Sequence, residues 1–338
     1  KANLTGAVSS VKMDEVLGDR PILNASDALQ GAVPGLFVSN GGNAPGTSKS
    51  FQIRGAYSVG VKNSDGSYGN TIKPLVLIDN VEGDIDMINP EDIESMTILT
   101  GPSAAALYGS DASNGVVLIT TKKGQAGARP TISYDGNVSV STVKSTVDVM
   151  DGDQFRSFIK DIWGEDSEAY SKLGNANTDW QKEIFRPAVS TDHNLTISGG
   201  LKNMPYRVGL GFEDNNGIVK TSWMKRFNTS VNLAPSFLDK HLNINFTAKY
   251  MFEKDRYANF GDAIGNALTM DPTQPVRVND EMYNTVGGYF QYLDNKGDKI
   301  TDPNWTKIAK SQVPQNPVAL LNNQKMIANT NDISSNLE

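Results

Sequence analysis

The sequence predicts part of an antiparallel transmembrane β-barrel that follows a small α+β domain. Two observations carry this prediction. After residue 124, apolar residues recur at every second position, as in strands with one apolar and one polar face. The connections between these strands alternate between short and long, which is typical of bacterial membrane barrels with short turns on one side and long loops on the other.

Composition excludes several classes of function. The 338 residues carry a formal charge of -7, which disfavours nucleic acid because phosphate binding depends on clustered Lys and Arg. The chain has no cysteine, so disulfides, thiolate metal sites and cysteine nucleophiles are excluded. No run of about 18 apolar residues occurs, so no membrane-spanning helix is predicted.

The first region, residues 1–124, is predicted to be a compact α+β domain. The apolar runs Leu75–Asp79, Ile93–Leu99 and Val116–Thr121 predict brief strands, and Ser26–Gly31 predicts a capped helical turn. Asn89 is expected to cap a further turn, because proline follows it at the first helical position and two acids follow the proline.

The second region, residues 125–338, contains five segments of alternating apolar and polar residues. These segments span residues 132–140, 194–198, 206–213, 227–233 and 242–252. In the first of them Ile132 and Tyr134 lie on one side, while Ser133 and Asp135 lie on the other. We expect the apolar sides to face lipid and the polar sides to face an enclosed lumen. On alternation alone, a soluble β-sandwich is an equal alternative.

Connection lengths favour the barrel over the sandwich. Residues 141–192 and the stretch beyond 254 form long excursions, residues 200–205 and 235–241 form short turns, and residues 214–225 form a medium loop. Aromatic residues at predicted strand ends fit interfacial girdles, although core aromatics give the same pattern: Tyr206, Phe212, Phe227, Tyr250 and Phe252. Five strands cannot close a lumen, and lipid does not tolerate an open sheet edge, so the chain is predicted to be a fragment of a larger barrel.

Six ordered segments of the first region resemble the plug domain of SusC-like (RagA-like) TonB-dependent outer-membrane transporters. They are LTGAVSSV at 4–11, ALQGAVPGLFV at 28–38, FQIRG at 51–55, PLVLIDN at 74–80, INPEDIESMTIL at 88–99 and AAALYGSDASNGVVLITTKKG at 104–124. Further along, TDWQKEIFRPAVSTDHNLTISGG at 178–200 resembles the family's approach to its second barrel strand. The resemblance therefore spans both regions.

The resemblance implies a complete barrel of about 22 strands, a size at which the lumen is plugged. Residues 1–124 would form the plug, and residues 125–338 the N-terminal part of the barrel with long extracellular loops. The implied function is TonB-dependent import of oligosaccharides or peptides across the outer membrane of a Gram-negative bacterium. The implied partners are a SusD-like surface lipoprotein, TonB and a second transporter–lipoprotein pair. The alternatives are a siderophore or cobalamin receptor, a secreted β-rich adhesion module and a glycan-cleaving enzyme.

Candidate site residues fall into two groups. The plug motifs supply structural or gating candidates: Arg54, Gly55, Asp79, Tyr108, Gly109, Asn114 and Gly115. Arg54 is expected to form a buried ion pair, with the barrel wall as one location, or to contact ligand. The loop at 56–73 and the first long excursion supply aromatic and hydrogen-bonding groups suited to a sugar or peptide: Tyr57, Asn63, Asp65, Tyr68, Trp163 and Trp180. A plain exposed loop is the alternative for the four residues at 56–73, and packing of the long excursion itself is the alternative for the two tryptophans.

Catalytic and metal chemistry is not predicted. His193 and His241 are the only two histidines, which leaves no histidine cluster and no triad. Asp294–Asp298 with Asp302 resembles part of a calcium loop, but the ligand spacing of a full site is incomplete. We therefore predict no enzymatic activity and no cofactor, with calcium as an alternative at that loop.

Overall fold

The computed structural model describes the N-terminal domain and the following strands in ten segments. They are residues 8–17, 25–31, 36–39, 44–47, 50–53, 74–99, 102–112, 114–201, 203–293 and 314–338. None of the helices in these segments is both long and apolar enough to cross a membrane.

The N-terminal domain is built on a five-stranded sheet. In spatial order its strands are β1 (Val8–Lys12), β6 (Ile93–Leu99), β7 (Val116–Thr121), β4 (Leu75–Ile78) and β5 (Val81–Glu82). The pair β4 and β7 is parallel, and the other neighbours are antiparallel. A separate hairpin pairs β2 (Leu36–Ser39) with β3 (Ser50–Ile53). The strands expected from the three apolar runs are therefore confirmed.

Short helices cover this sheet and complete its core. They are α1 (Met13–Leu17), α2 (Ala25–Leu29) and α3 (Pro102–Tyr108). Met13 and Leu29 pack with Ile93, Met96 and Ile119 in one cluster of buried side chains. As predicted, Asn89 caps a 3₁₀ turn at Pro90–Asp92, its side-chain oxygen accepting a hydrogen bond from the Glu91 amide at 2.9 Å.

The second region forms a six-stranded antiparallel sheet, which we call the wall. Its strands in spatial order are β8 (Thr131–Ser141), β9 (Ala188–Leu201), β10 (Met204–Asn216), β11 (Trp223–Leu233), β14 (Phe246–Tyr257) and β15 (Met326–Leu337). The sequence predicted the first five in outline and missed β15. The long connections all lie at one end of the wall, which we call the loop end. The short connections lie at the opposite end, which we call the turn end.

One predicted strand needs correction. Residues 242–252 do not form a single strand, because Leu242–Asn243 (β13) pairs with Ser236–Phe237 (β12) in a small hairpin at the turn end. Leu238 and Asp239 adopt positive φ values of 52° and 53°, which reverse the chain between these two strands. The wall strand begins only at Phe246.

The two faces of the wall differ as the alternation predicted. On β10 the side chains of Leu210 and Phe212 are exposed, whereas Gly209, Gly211 and Glu213 are buried, with the two glycines against Asp92 and Asn89 of the N-terminal domain. The polar face of the wall therefore meets the N-terminal domain, and the apolar face points away from it.

The two long connections fold together at the loop end into what we call the loop unit, residues 142–187, 258–293 and 314–325. Its helices are α4 (Gly152–Trp163), α5 (Glu168–Ser171), α6 (Trp180–Ile184), α7 (Phe260–Thr269) and α8 (Pro317–Asn323). Helices α6, α7 and α8 share a core that includes Trp180, Ile184, Met270, Phe290 and Leu321. The loop unit therefore has a hydrophobic core of its own, drawn from two connections that are distant in sequence.

Candidate functional site

A buried ion pair joins the N-terminal domain to the wall. Asp92, the last residue of the turn that Asn89 caps, places Oδ1 2.8 Å from Nη2 of Arg207 on β10, and the two side chains are only 10% and 12% exposed. The second oxygen of Asp92 accepts a hydrogen bond from Ser230 Oγ at 2.7 Å, and Arg207 also donates to Thr196 Oγ1 at 3.3 Å. The pair is thus hydrogen-bonded on both sides, which a buried pair requires to offset desolvation.

The amide of Asn89 makes a second connection beside this pair. While its oxygen caps the turn, its nitrogen donates to the side-chain oxygen of Asn194 on β9 and, at 3.3 Å, to that of Asn228 on β11. One side chain therefore fixes the local turn and ties it to two strands of the wall.

Two glycines of β10 make room for these contacts. A Cβ atom on Gly209 would lie 2.6 Å from Ser230 Oγ and 3.0 Å from Asp92 Oδ1. A Cβ atom on Gly211 would lie 2.8 Å from Asn89 Nδ2. The wall therefore approaches the turn so closely at these two positions that an ordinary side chain would displace it.

A second ion pair lies at the gating candidate Asp79. Its Oδ2 is 3.0 Å from Nζ of Lys249 on β14, and its carboxylate also accepts hydrogen bonds from the amide and hydroxyl of Thr121, at 3.0 and 2.7 Å. The carbonyl of Asp79 accepts a further bond, at 3.0 Å, from Asn336 Nδ2 on β15. Asp79 therefore joins two strands of the domain's own sheet to two strands of the wall.

The environment changes the pKa of carboxyl groups in this part of the domain. Burial alone would raise the pKa of Asp79, but the Lys249 ammonium and the hydrogen bonds from Thr121 outweigh it and hold the pKa below its ordinary value. Burial raises the pKa of Glu91, and the opposing charge of Lys122 does not reverse the effect. Asp79 is thus held as a carboxylate by its partners.

All of these anchors lie within one stretch of the domain, residues 79–92, which we call the anchor segment. A cavity of about 370 Å³ lies between the anchor segment and the wall. The anchor segment lines one side of it, and β11, β14 and β15 line the other. Asn228, Ser230 and Lys249 line it with polar atoms. The contact between domain and wall is therefore a set of discrete polar anchors around an open space.

A further contact lies nearer the loop end. Tyr257 on β14 donates a hydrogen bond of 3.2 Å to the carbonyl of Gly46. On the same face of the wall, Arg226 lies between two carboxylates, 2.6 Å from Glu253 and 3.6 Å from Glu213. The polar face of the wall therefore also carries charged side chains that pair with each other, strand to strand, rather than with the N-terminal domain.

The other described gating candidates lie away from the wall anchors. Tyr108 ends α3 and is partly exposed, and Gly109 follows it with φ +81°. Asn114 is half-buried in the turn that precedes β7. Gly115 has φ +98°, and a Cβ atom there would lie 2.7 Å from the side chain of Ile53. These residues shape the turn between α3 and β7.

The substrate-binding candidates separate into exposed and buried positions. Trp163 ends α4 with 55% of its surface exposed, next to Phe158. Trp180 is 3% exposed, and its indole N–H donates to the carbonyl of Asp271 at 2.9 Å, so it packs the core of the loop unit. The remaining candidates lie outside the described residues: Arg54, Gly55, Tyr57, Asn63, Asp65, Tyr68 and the calcium loop Asp294–Asp302.

The structure adds residues that the sequence did not single out. Arg207 and Lys249 are the basic partners of the two anchors, and Asp92 entered the sequence analysis only as one of the two acids that follow Pro90. Within the described residues, no group of three or more His, Asp or Glu side chains is placed to hold a metal ion.

Comparisons with known proteins agree with this arrangement. Residues 1–116 match the family model of the TonB-dependent receptor plug domain. The TonB-dependent receptor SusC of Bacteroides thetaiotaomicron is 44% identical over 348 aligned residues, covering 100% of this chain and 33% of that protein. The TonB-dependent receptor P3 of Formosa agariphila is 35% identical over 67% of this chain and 21% of its own length.

Solved structures show the same fold. The RagAB peptide transporter superposes with a TM-score of 0.68 at 25% identity, covering 80% of this chain and 34% of that one. The chain thus spans about a third of the length of SusC and of the matched RagAB chain. With its α+β plug set against the polar face of antiparallel barrel strands, the chain belongs to the SusC/RagA-like TonB-dependent receptors.

Proposed function

We propose that this chain is the plug and first wall of an outer-membrane receptor that imports oligosaccharides in a TonB-dependent manner. The observation that supports the proposal best is the plug itself, held against the polar face of the wall by the buried pairs Asp92–Arg207 and Asp79–Lys249. A domain seated in this way blocks the lumen of a large barrel. The division between plug and barrel at residue 124 stays part of this proposal.

The anchor segment is the gate in this proposal. Its polar contacts reach strands across most of the wall: Asn194 on β9, Arg207 on β10, Asn228 and Ser230 on β11, Lys249 on β14 and Asn336 on β15. Breaking a buried pair leaves an uncompensated charge, so the closed plug is stable until work is done on it. TonB, in the inner membrane, supplies that work.

An oligosaccharide stays the preferred of the two cargoes that the resemblance to SusC-like transporters implies, because the chain is 44% identical to SusC and 25% identical to RagAB. A peptide is the alternative, since RagAB is described as a peptide transporter, and a siderophore or cobalamin is the second alternative. Trp163 offers an exposed ring for stacking on cargo, and the loop at 56–73 offers Tyr57, Asn63, Asp65 and Tyr68. Trp180 supports this surface from within the core of the loop unit.

The proposed partner is a SusD-like surface lipoprotein that docks on the loop unit and closes over the barrel. Helix α4 presents Phe158, Ile162 and Trp163 at its surface, an apolar set suited to a protein partner. A pair of such transporter–lipoprotein complexes is the proposed assembly.

Uptake of labelled cargo tests this function. Cells that depend on the full-length receptor are given a labelled oligosaccharide, a labelled peptide or a labelled ferric siderophore, with and without TonB. We expect oligosaccharide to accumulate only when TonB is present. Accumulation of peptide or siderophore alone would replace the proposed cargo, and accumulation of oligosaccharide without TonB would overturn energised import.

Copurification tests the partner separately. A mild detergent extract of the tagged receptor is expected to retain a surface lipoprotein, and the variant Trp163→Ala is expected to retain less of it. Glu168→Ala on the neighbouring α5 removes an exposed ion pair of the same loop unit and serves as the control. Equal retention by both variants would argue against docking on α4.

A further inference from the structure

The outward face of the wall carries a row of aromatic side chains. The strand registers place Phe212, Phe227 and Phe252 directly opposite one another on β10, β11 and β14. Their exposed fractions are 43%, 40% and 36%, so each ring points away from the plug. Such rows mark the border between the apolar band and the polar interface in membrane barrels.

The next outward row toward the loop end is basic. There the registers pair Asp214 with Lys225, and Lys225 with Lys254. Asp214 lies 3.0 Å from Lys225, whereas Lys254 forms no ion pair with any of the described residues. Like charges placed directly opposite each other on neighbouring strands destabilise a sheet. The second lysine is therefore unexplained by the contacts within the wall.

A third cation lies one row further along. Arg256 follows Lys254 on the same face of β14 and donates from Nη2 to the carbonyl of Leu321 at 3.3 Å. Its Nε is buried from solvent and has no hydrogen-bond partner among the described residues. Two exposed lysines and the half-buried Arg256 thus lie together at this corner of the wall, with Asp214 beside Lys225 on the adjacent strand.

The depth of this basic row matches the position of lipid headgroups. Tyr206 and Phe246 lie in one outward row at the turn end, and Asp214 lies eight positions after Tyr206 on β10. At about 3.4 Å per residue and a tilt of about 40°, the basic row stands about 20 Å above that aromatic row. The apolar band of such barrels is about 25 Å tall, so long basic side chains here reach the interface.

We propose that Lys225 and Lys254 bind the phosphate of a lipid in the adjacent leaflet, beside the half-buried Arg256, while the phenylalanine row contacts its acyl chains. Ammonium and guanidinium groups recognise phosphate by charge-assisted hydrogen bonds. The bound phosphate would offset the repulsion between the two lysines. This inference rests on the proposed membrane location and is independent of the cargo.

Lipid binding by the full-length receptor tests the proposal. The purified receptor in mild detergent is titrated with phosphatidylglycerol, phosphatidylcholine or inorganic phosphate, and bound molecules are counted by native mass spectrometry. We expect phosphatidylglycerol to bind, and to bind about tenfold more weakly to the double variant Lys225→Gln/Lys254→Gln. Equal binding to parent and double variant would overturn the proposal.

The other arms identify the source of the phosphate. Binding of inorganic phosphate at the same concentrations as phosphatidylglycerol would replace the lipid with a free anion, and equal binding of phosphatidylcholine would remove the requirement for net negative charge. Lys225→Arg/Lys254→Arg is expected to keep the affinity. Lys160→Gln/Lys172→Gln, on the loop unit, makes the same change in charge away from the wall and is expected to have no effect. Cargo uptake measured on the same variants separates loss of lipid binding from loss of transport.

Discussion

Asp92 of the plug and Arg207 of β10 form an ion pair of 2.8 Å from which solvent is almost excluded. Ser230 and Thr196 complete its hydrogen bonds from neighbouring strands. The plug is therefore held by a contact whose energy depends on all members staying together, because each charge is stabilised only by the others.

Removal of one partner is expected to loosen the plug. Asp92→Ala leaves the buried guanidinium of Arg207 without its counter-charge. It should lower the free energy needed to detach the plug from the wall by about 3 kcal/mol. Hydrogen exchange of the amides of β6 in the full-length receptor measures this. Glu168→Ala breaks a short but exposed pair with Lys172 and should leave the exchange rates of β6 unchanged. Similar effects from both variants would contradict a buried anchor.

The close approach of the anchor segment to Gly209 and Gly211 on β10 predicts that a larger side chain there would be disruptive. Gly211→Ala places a methyl group against the side chain of Asn228 on β11 and 2.8 Å from Asn89 Nδ2, so the contact between Asn89 and Asn228 is pushed apart and the anchor segment moves away from the wall. We expect faster hydrogen exchange in the anchor segment and increased leakage of small solutes through the barrel. Gly265→Ala in α7 meets no atom within 4 Å and should be neutral or slightly stabilising. Unchanged leakage in Gly211→Ala would show that the wall tolerates the methyl group.

The lowered pKa of Asp79 predicts how plug seating depends on pH. Its contribution is complete above the ordinary carboxyl value of 3.8 and is lost as pH falls below 3.8 through the lowered pKa of the seated plug. The urea midpoint for plug release, measured from about pH 6 to about pH 3, should therefore fall at the acid end. Asp79→Asn should lower the midpoint at pH 6 and flatten this acid-side decline. An identical decline in the variant would assign the acid sensitivity to other groups.

The two tryptophans of the loop unit predict opposite phenotypes. Trp180→Ala removes a buried ring and a hydrogen bond to the Asp271 carbonyl, and should destabilise the loop unit by about 3 to 5 kcal/mol. Trp163→Ala should leave the stability within about 0.5 kcal/mol and reduce cargo uptake. Thermal unfolding together with uptake separates the two. A stable Trp180→Ala variant would contradict its place in the core.

The alternation of residues predicted the wall well where both faces were distinct. In β10 the apolar and polar positions alternate without interruption, so the strand and the direction of each face could be predicted. In β15 the outward positions include Asn329, Asn331 and Ser335, which resemble the polar inward positions. The period of two is therefore too weak there, and only pairing with β14 defines the strand.

The site was less predictable than the fold. Asp79 was among the plug candidates, but its partner Lys249 lies 170 residues away along the chain, and strand register decides which polar residue meets it. Asp92 was considered only as part of the capped turn, because a helix-cap pattern is visible in sequence. Its ion pair with Arg207 on the wall is not visible there. For Trp180 the sequence left both cargo contact and loop packing open, and the structure encloses it in the core formed by α6, α7 and α8.

The shared core of the loop unit limits how such a receptor can change its preference for cargo. The backbone bonds Ala176 N to Thr273 O, at 2.9 Å, and Thr178 N to Pro272 O, at 2.8 Å, join the two long connections edge to edge. A chimaera that grafts only one of these connections from a relative inherits half of an interface and exposes the rest. Chimaeras should therefore fold when both connections are taken from the same relative. Sequence differences between relatives should likewise occur in both loops at once.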